Sequence, residues 1–279
     1  MKRPAGTRRR SSQRQRKAPE TPAESVPAPA PAPVRAVRHG LARVLSKRGL
    51  CSRTRAAQLI RERRVRLNGR IVDDPEHPAD ALRDLIEIDG ARALAVAPVH
   101  VALNKPRGLI TTSADERGRG TVYDCLADAG LPWMAPVGRL DKASEGLLLF
   151  TNDPAWADAV AASGQVTKTY HVQVEGTPDA EVLRALHAGM EHQGEWLRAE
   201  RVALVRSGER TAWLEFVLRG GRNRQIRRML SVVGLEVKRL IRIDIGGVAL
   251  GNLAKGAWRH LSAAEAAALG PVSGAVDQP

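Results

Sequence analysis

The feature that most constrains this chain is a short apolar run, Leu147 to Phe150, which follows a charged loop. Four consecutive bulky apolar residues bounded by polar segments are typical of a buried strand. The loop "GRLDKAS" that leads into the run sets Asp141 between Arg139 and Lys142. The sequence therefore predicts a carboxylate at the edge of a hydrophobic core. On this segment alone, a structural ion pair is favoured over a functional group.

Charge is distributed very unevenly along the chain. The formal net charge is +14 over 279 residues. Residues 1–40 carry +8 and residues 41–70 carry +9, whereas the rest of the chain sums to −3. Such an excess favours a polyanionic partner, either nucleic acid or an anionic membrane surface. The first quarter of the chain is therefore where we expect most of that attraction to arise.

Several classes of protein are disfavoured by what the sequence lacks. Two cysteines, Cys51 and Cys125, make neither a disulfide framework nor a zinc-binding pattern, and the seven histidines show no metal-ligand spacing. No glycine-rich loop has the context of a nucleotide cofactor site. The N-terminus has no apolar segment behind its charges, and no run approaches a membrane span. We expect a cytoplasmic monomer with no metal, no nucleotide cofactor and no membrane partner.

The N-terminal quarter divides into a tail and a small domain. Residues 1–38 are Arg-rich and then Pro/Ala-rich, a composition that predicts a disordered basic tail. Residues 39–97 predict two short amphipathic helices, the first closed by Gly49 and the second capped by Ser52, then a hairpin with an Asn68-Gly69 turn and the strand "LIEID". Five arginines crowd this small unit and are candidate RNA-binding residues: Arg53, Arg55, Arg61, Arg63 and Arg64.

The stretch "LARVLSKRGLCSRTRAAQLIRERRVRLNGRIV" resembles the S-four RNA-binding domain, which is named for a ribosomal protein. The resemblance implies that domain's fold and its RNA-binding role. Spacing alone indicates a small α/β unit with a basic face, which is also compatible with binding to lipid or to another protein.

Residues 98–270 predict a second, larger domain. The strands "HVALNK", "KTYHVQVEG", "TAWLEFVLRG" and "IRIDIGGVAL" alternate irregularly with helices near Val122 to Ala129, after Asp153 and from Asp179 to His187. This order favours an α+β fold with a mixed, mostly antiparallel sheet. Residues 271–279 are expected to form a flexible tail.

The larger domain carries one dense basic segment, "GRNRQIRRML", continued by Lys238, Arg239 and Arg242. Its interleaved apolar residues require some arginines to face the core, and a buried arginine needs a carboxylate partner. Asp141 is the first candidate for that partner, with Asp244 and Glu215 as competitors.

Several ordered motifs together are similar to those of the Rsu/Rlu-type ribosomal RNA pseudouridine synthases. They are "LNKPRG", "GRLDKASEGLLLFTND", "KTYHV" and "GRNRQIRRML" followed by "VKRLIRIDIGGVAL". With the N-terminal domain, the resemblance covers about residues 39–265. It implies isomerisation of a uridine to pseudouridine in RNA, without a metal or redox cofactor.

Site residues follow from this resemblance motif by motif. Asp141 would be the nucleophile, attacking the ribose anomeric carbon or carbon six of the base, or promoting elimination to a glycal. Arg139 would fill the space left by the flipped uridine. Tyr170 would stack on the extruded base, and Ile226 would pack against it. Arg227 would pair with Asp141 and hold the carboxylate charged.

The resemblance leaves the substrate open. Family members commonly carry an acidic or amide residue where Ala143 stands, and many have "TNDG" where this chain has "TNDPAW". Both departures lie beside the catalytic loop and bear on substrate choice. We expect large-subunit ribosomal RNA as the substrate, and ribosomal RNA or a pre-ribosomal particle as the binding partner. The alternatives are small-subunit ribosomal RNA, transfer RNA, or a noncatalytic RNA-binding ribosome-assembly factor.

Overall fold

The computed structural model describes residues 38–113, 115, 117–162 and 164–271. Residues 1–37 of the predicted basic tail and residues 272–279 of the predicted C-terminal tail therefore lie outside the described residues. Helices within the described ranges are α1 (Leu41–Lys47), α2 (Arg53–Arg61), α3 (Pro154–Ala161), α4 (Ala180–Ala188), α5 (Gln225–Val232) and α6 (Ala263–Leu269), with a 3₁₀ helix at Val122–Leu126.

Short strands predominate in the N-terminal third, and longer strands in the remainder. The strands are β1 (His39–Gly40), β2 (Val65–Leu67), β3 (Arg70–Ile71), β4 (Pro78–Ala79), β5 (Ile86–Ile88), β6 (Ala91–Arg92), β7 (His100–Lys105), β8 (Ala135–Val137), β9 (Glu145–Thr151), β10 (Thr167–Glu175), β11 (Met190–His192), β12 (Glu195–Leu197), β13 (Arg201–Ser207), β14 (Thr211–Arg219), β15 (Val237–Ile245), β16 (Val248–Ala249) and β17 (Trp258–His260).

Residues 38–96, called here the N-terminal module, have a hydrophobic core of their own. Leu41, Leu45 and Ile60 from α1 and α2 are fully buried against the small sheet β3-β2-β5-β6. The predicted cap at Ser52 is present, since its hydroxyl accepts from the amide of Arg55 at 3.0 Å. The hairpin turn at Asn68 and Gly69 is confirmed, and both residues have positive φ, as this tight turn requires.

Side chains hold the chain on both sides of the boundary between the module and the following residues 97–271, called here the body. Arg48 donates to the carbonyl oxygens of Ala81 and Ala93 at 2.8 and 2.9 Å. Asn152, at the end of β9, donates to the Ala97 carbonyl at 2.9 Å and accepts from the Val99 amide at 2.7 Å. Arg48 therefore fixes the chain before the boundary, and Asn152 fixes it after the boundary.

The body is built on a nine-stranded sheet with the order β13-β14-β10-β15-β9-β7-β17, to which β8 and β16 add at the sides. All its strand pairs are antiparallel except the β15–β9 pair, which is parallel. The predicted α+β fold with a mixed, mostly antiparallel sheet is confirmed.

Strand β9 explains the apolar run. All seven of its residues are buried. Leu148 and Phe150 belong to the core on one face of the sheet, and Leu147 and Leu149 belong to the core on the other face. Because successive side chains of a strand point to opposite faces, a strand covered on both faces must be continuously apolar.

Two backbone features shape the edge of β9 where the charged loop ends. Gly146 has φ +102°, and a Cβ atom there would lie 2.3 Å from the Arg242 carbonyl oxygen, so only glycine admits β15 this closely. The pairing of β10 with β15 shifts register between Thr169 and Tyr170. Through this irregularity Tyr170 lies opposite Arg242, whereas the register of Lys168 and Thr169 would place His171 there.

Some local predictions are corrected by the structure. The helix expected from Val122 to Ala129 is a 3₁₀ helix that ends at Leu126. The predicted starts of α3 and α4 are confirmed, because Asp153 and Asp179 cap them through their carboxylates. Strands β11, β12 and β13 were not predicted, since their mixed polar residues show no regular alternation.

Candidate active site

The body contains a cavity of about 420 Å³ between the loop before β9, the ends of β10 and β15, and the start of α5. The five body residues predicted as a site all line it: Arg139, Asp141, Tyr170, Ile226 and Arg227. Asp141 and Ile226, which are 85 positions apart in the sequence, therefore lie at the same cavity.

A buried lysine fixes the backbone of the Asp141 loop. Lys105, at the end of β7, has no exposed surface. Its ammonium group donates to the carbonyl oxygens of Ser144 at 2.8 Å, Pro106 at 3.1 Å and Asp141 at 3.2 Å. Burial, partly offset by the Asp141 charge, lowers the pKa of Lys105 to about 8.

A second anchor holds the residue just before Asp141. The Thr111 hydroxyl donates to the Leu140 carbonyl at 2.8 Å and accepts from the Leu140 amide at 3.3 Å. The Leu140 side chain is buried in the core. Arg139, one position earlier, is exposed at the mouth of the cavity. The loop is therefore rigid at its base and presents Arg139 and Asp141 to the opening.

The carboxylate of Asp141 is paired with Arg224, not with the predicted Arg227. Arg224 Nη1 lies 3.5 Å from Asp141 Oδ2, and the two side chains are 53% and 40% exposed. Arg224 precedes α5 with φ +50° and ψ +30°, a left-handed conformation that is strained for a residue other than glycine. This backbone turn was not apparent from the sequence, which is why the partner was misassigned.

Arg227 lies in the same cavity but contacts the main chain of the loop. Its Nη2 donates to the Ala143 carbonyl at 3.3 Å, and its buried Nε has no hydrogen-bond partner among the described residues. Burial, and then the charge of Arg224, lower the pKa of the Arg227 guanidinium. Arg227 therefore supports the shape of the Asp141 loop and adds positive charge beside it.

Tyr170 and Ile226 contribute apolar surface to the cavity. Tyr170 lies on β10, and Ile226 lies in the first turn of α5. Both are almost fully buried and belong to the same core cluster. Their side chains are held by packing, so the surface that they show to the cavity is fixed before any ligand arrives.

Sequence reasoning assigned no role to three further basic residues that line the cavity, Lys168, Arg222 and Arg242. Arg242 was noted only as part of a basic run. A usable signal was the spacing in β10 and β15, because Lys168 is two residues from Tyr170, and Arg242 is two residues from the buried Leu240. With these, six basic side chains and one carboxylate line the cavity among the described residues.

Another arginine of the basic run, Arg239, pairs with a carboxylate that the sequence analysis did not propose. Arg239 Nε lies 2.8 Å from Glu145 Oε1, and Lys255 Nζ lies 2.8 Å from Glu145 Oε2. Glu145 is buried at the start of β9, and it was not among the carboxylates considered. Glu215, one of those considered, pairs with Arg201.

The N-terminal module presents all five predicted arginines on its surface. Arg53 pairs with Glu76 at 2.9 Å, Arg63 with Asp73 at 4.0 Å, and Arg64 with Asp89 at 2.6 Å. Arg55 and Arg61 have no ion pair within 4 Å in the described part of the chain. These two are therefore the least compensated of the five.

Within the described ranges, no cluster of three or more histidine, cysteine, aspartate or glutamate side chains is arranged to hold a metal ion. None of the described helices has the length and apolar character needed to cross a bilayer.

Comparison with known proteins agrees with this geometry. Residues 99–232 match the profile of the RNA pseudouridylate synthase family, and residues 40–81 match the S4 domain. A protein of Rickettsia bellii named as an uncharacterized RNA pseudouridine synthase is 36% identical over 223 residues, which cover 80% of this chain and 96% of the relative. The chain belongs to the RNA pseudouridine synthase family.

Other members of the family give the same result. A Mycobacterium tuberculosis protein (strain H37Rv) named as an uncharacterized RNA pseudouridine synthase is 36% identical over 229 residues, 81% of this chain and 90% of the relative. An Aquifex aeolicus protein with the same description is 34% identical over 228 residues, 81% and 91% of the two chains. A crystal structure described as a pseudouridylate synthase matches with a TM-score of 0.57 and 25% identity, covering 83% of this chain and 99% of the other.

In this member of the RNA pseudouridine synthase family, the cavity combines a carboxylate, an aromatic ring and several basic groups. Asp141 supplies a carboxylate at the opening, Tyr170 supplies an aromatic ring, and the surrounding basic groups favour an anionic polymer. The S4 module adds a second RNA-binding surface on the same chain.

Proposed function

We propose that this chain converts a specific uridine of large-subunit ribosomal RNA to pseudouridine, acting as a cytoplasmic monomer. The observation that carries the proposal is that, among the described residues, one carboxylate, Asp141, and six basic side chains line the cavity beside Tyr170. A protein that only binds RNA gains nothing from a carboxylate there, since it repels phosphate. The similarity of "GRNRQIRRML" and "RLIRI" to the large-subunit enzymes supports the choice of RNA.

The first step is extrusion of the uridine, because a base inside folded RNA cannot reach a side chain at the wall of a cavity. Arg139 is exposed at the mouth and fills the gap that the base leaves. Tyr170 stacks on the extruded ring, and Ile226 packs against it. Both contacts use side chains that the core already immobilises.

Asp141 then acts on the nucleotide. Its carboxylate attacks C1′ of the ribose, attacks C6 of the base, or promotes elimination to a glycal, and in each case the bond from C1′ to N1 is finally replaced by a bond from C1′ to C5. The C5 proton is lost and N1 gains one, so the product has the same atoms as the substrate. The hydrogen bonds from Lys105 and Thr111 keep the loop in place during this exchange.

Binding of the RNA is divided between the module and the body. The excess positive charge lies in residues 1–70, whereas the rest of the chain sums to −3. The exposed arginines of the module contact phosphates and fix the orientation of the folded RNA. The body then needs only a local basic opening around the target uridine.

Pseudouridine mapping tests the proposal. Ribosomal RNA from cells with and without the gene is treated with carbodiimide and mapped by reverse transcription. We expect one stop in large-subunit RNA to disappear in the deletion and to return on complementation. Loss of a stop in small-subunit or transfer RNA corrects the substrate, and an unchanged map of all three contradicts the catalytic proposal. Light scattering of the purified chain tests whether it is a monomer.

A further inference from the structure

Arg242 is a buried cation that lines the cavity without an acidic partner. It is only 3% exposed. Its Nε donates to the Leu147 carbonyl at 2.7 Å, and its buried Nη2 has no hydrogen-bond partner among the described residues. Burying a charge without a compensating group is costly, so such a residue calls for a physical explanation.

The carboxylates nearest to Arg242 along the chain and in the cavity are engaged elsewhere. Asp141 pairs with Arg224, and Glu145 pairs with Arg239 and Lys255. Asp244, two residues away on β15, accepts from the Gly247 amide at 3.1 Å. Among the described residues, Arg242 is therefore not part of a structural ion pair.

Sheet pairing places Arg242 next to the proposed base-stacking residue. Arg242 on β15 lies opposite Tyr170 on β10, and on its other side it lies opposite Gly146 on β9. Lys168 is two residues from Tyr170 on the same strand and lines the same cavity. Among the described residues, its ammonium group has one hydrogen bond, to the Gly220 carbonyl at 3.4 Å. Burial, and then the charge of Arg242, lower the pKa of Lys168.

The depth of Arg242 distinguishes it from the other arginines of the cavity. Arg139, Arg222 and Arg224 are exposed around the opening, where backbone phosphates can remain hydrated. A buried donor beside Tyr170 instead faces the part of the nucleotide that enters the cavity, which is the base. Uracil carries two carbonyl oxygens, O2 and O4, that accept hydrogen bonds.

We propose that Arg242, assisted by Lys168, hydrogen-bonds a carbonyl oxygen of the extruded uracil and stabilises the negative charge that the base acquires during isomerisation. This inference rests on the proposed function. When the C1′–N1 bond breaks, its electron pair stays on the base and is shared by N1, O2 and O4. The same anion supplies the pair that forms the C1′–C5 bond, after which the C5 proton leaves and N1 is protonated.

Attack of Asp141 on C6 also places negative charge on the base, because it pushes an electron pair of the ring onto O4. This route therefore needs the same stabilisation of a uracil oxygen. A fixed cation in a water-poor cavity stabilises such a developing charge more than it stabilises the neutral base. Arg242 thus acts on the transition state, and Asp141 on the sugar or the ring.

A double-mutant cycle, in which one change is in the protein and the other is an oxygen-to-sulfur replacement in the uridine, tests the contact. A ribosomal RNA fragment containing the mapped uridine is prepared with oxygen, with sulfur at position 2, or with sulfur at position 4 of that uridine, and single-turnover rates are measured for wild type, Arg242→Met and Arg242→Lys. Removing one fixed donor is expected to slow the oxygen substrate about 10²–10³-fold in Arg242→Met. Arg242→Lys, which keeps the charge, is expected to recover part of that loss.

The decisive result is non-additivity. Sulfur is a weaker hydrogen-bond acceptor than oxygen. Replacement of the contacted oxygen is therefore expected to slow wild type more than it slows Arg242→Met. The intrinsic effect of sulfur on the reactivity of the base is the same for both proteins, so it cancels in the cycle. Slowing by the same factor in both proteins, for both sulfur positions, overturns the contact. Lys168→Met is measured in parallel and is expected to show the same pattern more weakly.

Controls separate the possible failures. Lys238→Met removes a basic residue of the same strand whose ion pairs, with Glu175 and Glu236, lie at the surface, and it is expected to react like wild type. If Arg242→Met does not fold, as thermal unfolding shows, the cycle is run with Arg242→Lys. If wild type forms no pseudouridine in any RNA, the proposed function fails. If wild type is active and Arg242→Met reacts within about threefold of it, only this inference fails.

Discussion

The ammonium group of Lys105 donates a 3.2 Å hydrogen bond to the main-chain carbonyl oxygen of Asp141, so a fully buried cation positions the backbone of the proposed nucleophile. Two more carbonyl oxygens, of Pro106 and Ser144, complete its surroundings. The positive charge is thus satisfied by backbone dipoles, and the Asp141 carboxylate remains in the cavity, where it pairs with Arg224.

The first prediction concerns the pH dependence that Lys105 imposes on stability. Its pKa of about 8 in the folded protein lies below the ordinary lysine value of about 10.4 in the unfolded chain. The cost of burying the charge is therefore present below pH 8 and is relieved as pH rises from about 8 to 10.4. Wild type should gain roughly 2–3 kcal/mol relative to Lys105→Met across this window. Urea unfolding of both proteins at pH 7 to 10.5 measures the difference, and a constant difference contradicts the lowered pKa.

The second prediction separates Arg224 from Arg227. Arg224→Ala removes an exposed ion pair, so the free energy of unfolding should change by less than about 1 kcal/mol. Arg227→Met removes a half-buried guanidinium that holds the Asp141 loop, and it should lower kcat about 10²-fold or more through misplacement of the carboxylate. Urea unfolding and single-turnover rates on ribosomal RNA check both variants. Normal activity of Arg227→Met would show that this residue does not support the loop.

Sequence and structure agree best where one strand pattern decides the outcome. The run Leu147 to Phe150 predicts a buried strand because no other arrangement hides four consecutive apolar side chains so simply, and β9 is that strand. The partner of Asp141 could not be predicted in this way. It depends on the left-handed backbone at Arg224, which turns that side chain, rather than Arg227, toward the carboxylate.

The hidden roles of Lys105 and Arg242 have a related cause. Both lie in strands whose other residues predict burial, but a sequence does not show whether a buried cation meets a carboxylate, a carbonyl oxygen or nothing. That depends on chain segments far away, at Ser144 and Leu147, and on the register of neighbouring strands.

The third prediction concerns Tyr170. If its ring stacks on the extruded base, Tyr170→Phe should bind the RNA as wild type does, whereas Tyr170→Ala should lose about 1–3 kcal/mol of binding free energy. Filter binding of the mapped RNA fragment at fixed salt measures this. Equal binding by the two variants rules out stacking as its contribution. Full binding with a large loss of rate in Tyr170→Phe assigns a role in proton transfer to the hydroxyl.

The fourth prediction concerns the surface of the N-terminal module. Arg55 and Arg61 lack ion pairs among the described residues, so each is free to contact phosphate. Arg55→Ala and Arg61→Ala should each weaken RNA binding and reduce the salt dependence by about one phosphate contact. Arg64→Ala is the matched control, because Asp89 and Glu62 already compensate its charge. Binding measured at several salt concentrations gives the slopes, and a larger loss for Arg64→Ala than for the other two contradicts this assignment.

The most direct test of the account is the conversion of unmodified RNA by purified wild type and Asp141→Asn. Ribosomal RNA from cells lacking the gene is incubated with each protein, and pseudouridine is mapped after carbodiimide treatment. The amide keeps the shape of the side chain and loses the nucleophile, so Asp141→Asn should bind the RNA normally and react about 10³-fold or more slowly than wild type. A rate within tenfold of wild type would contradict the central claim that Asp141 carries out the reaction.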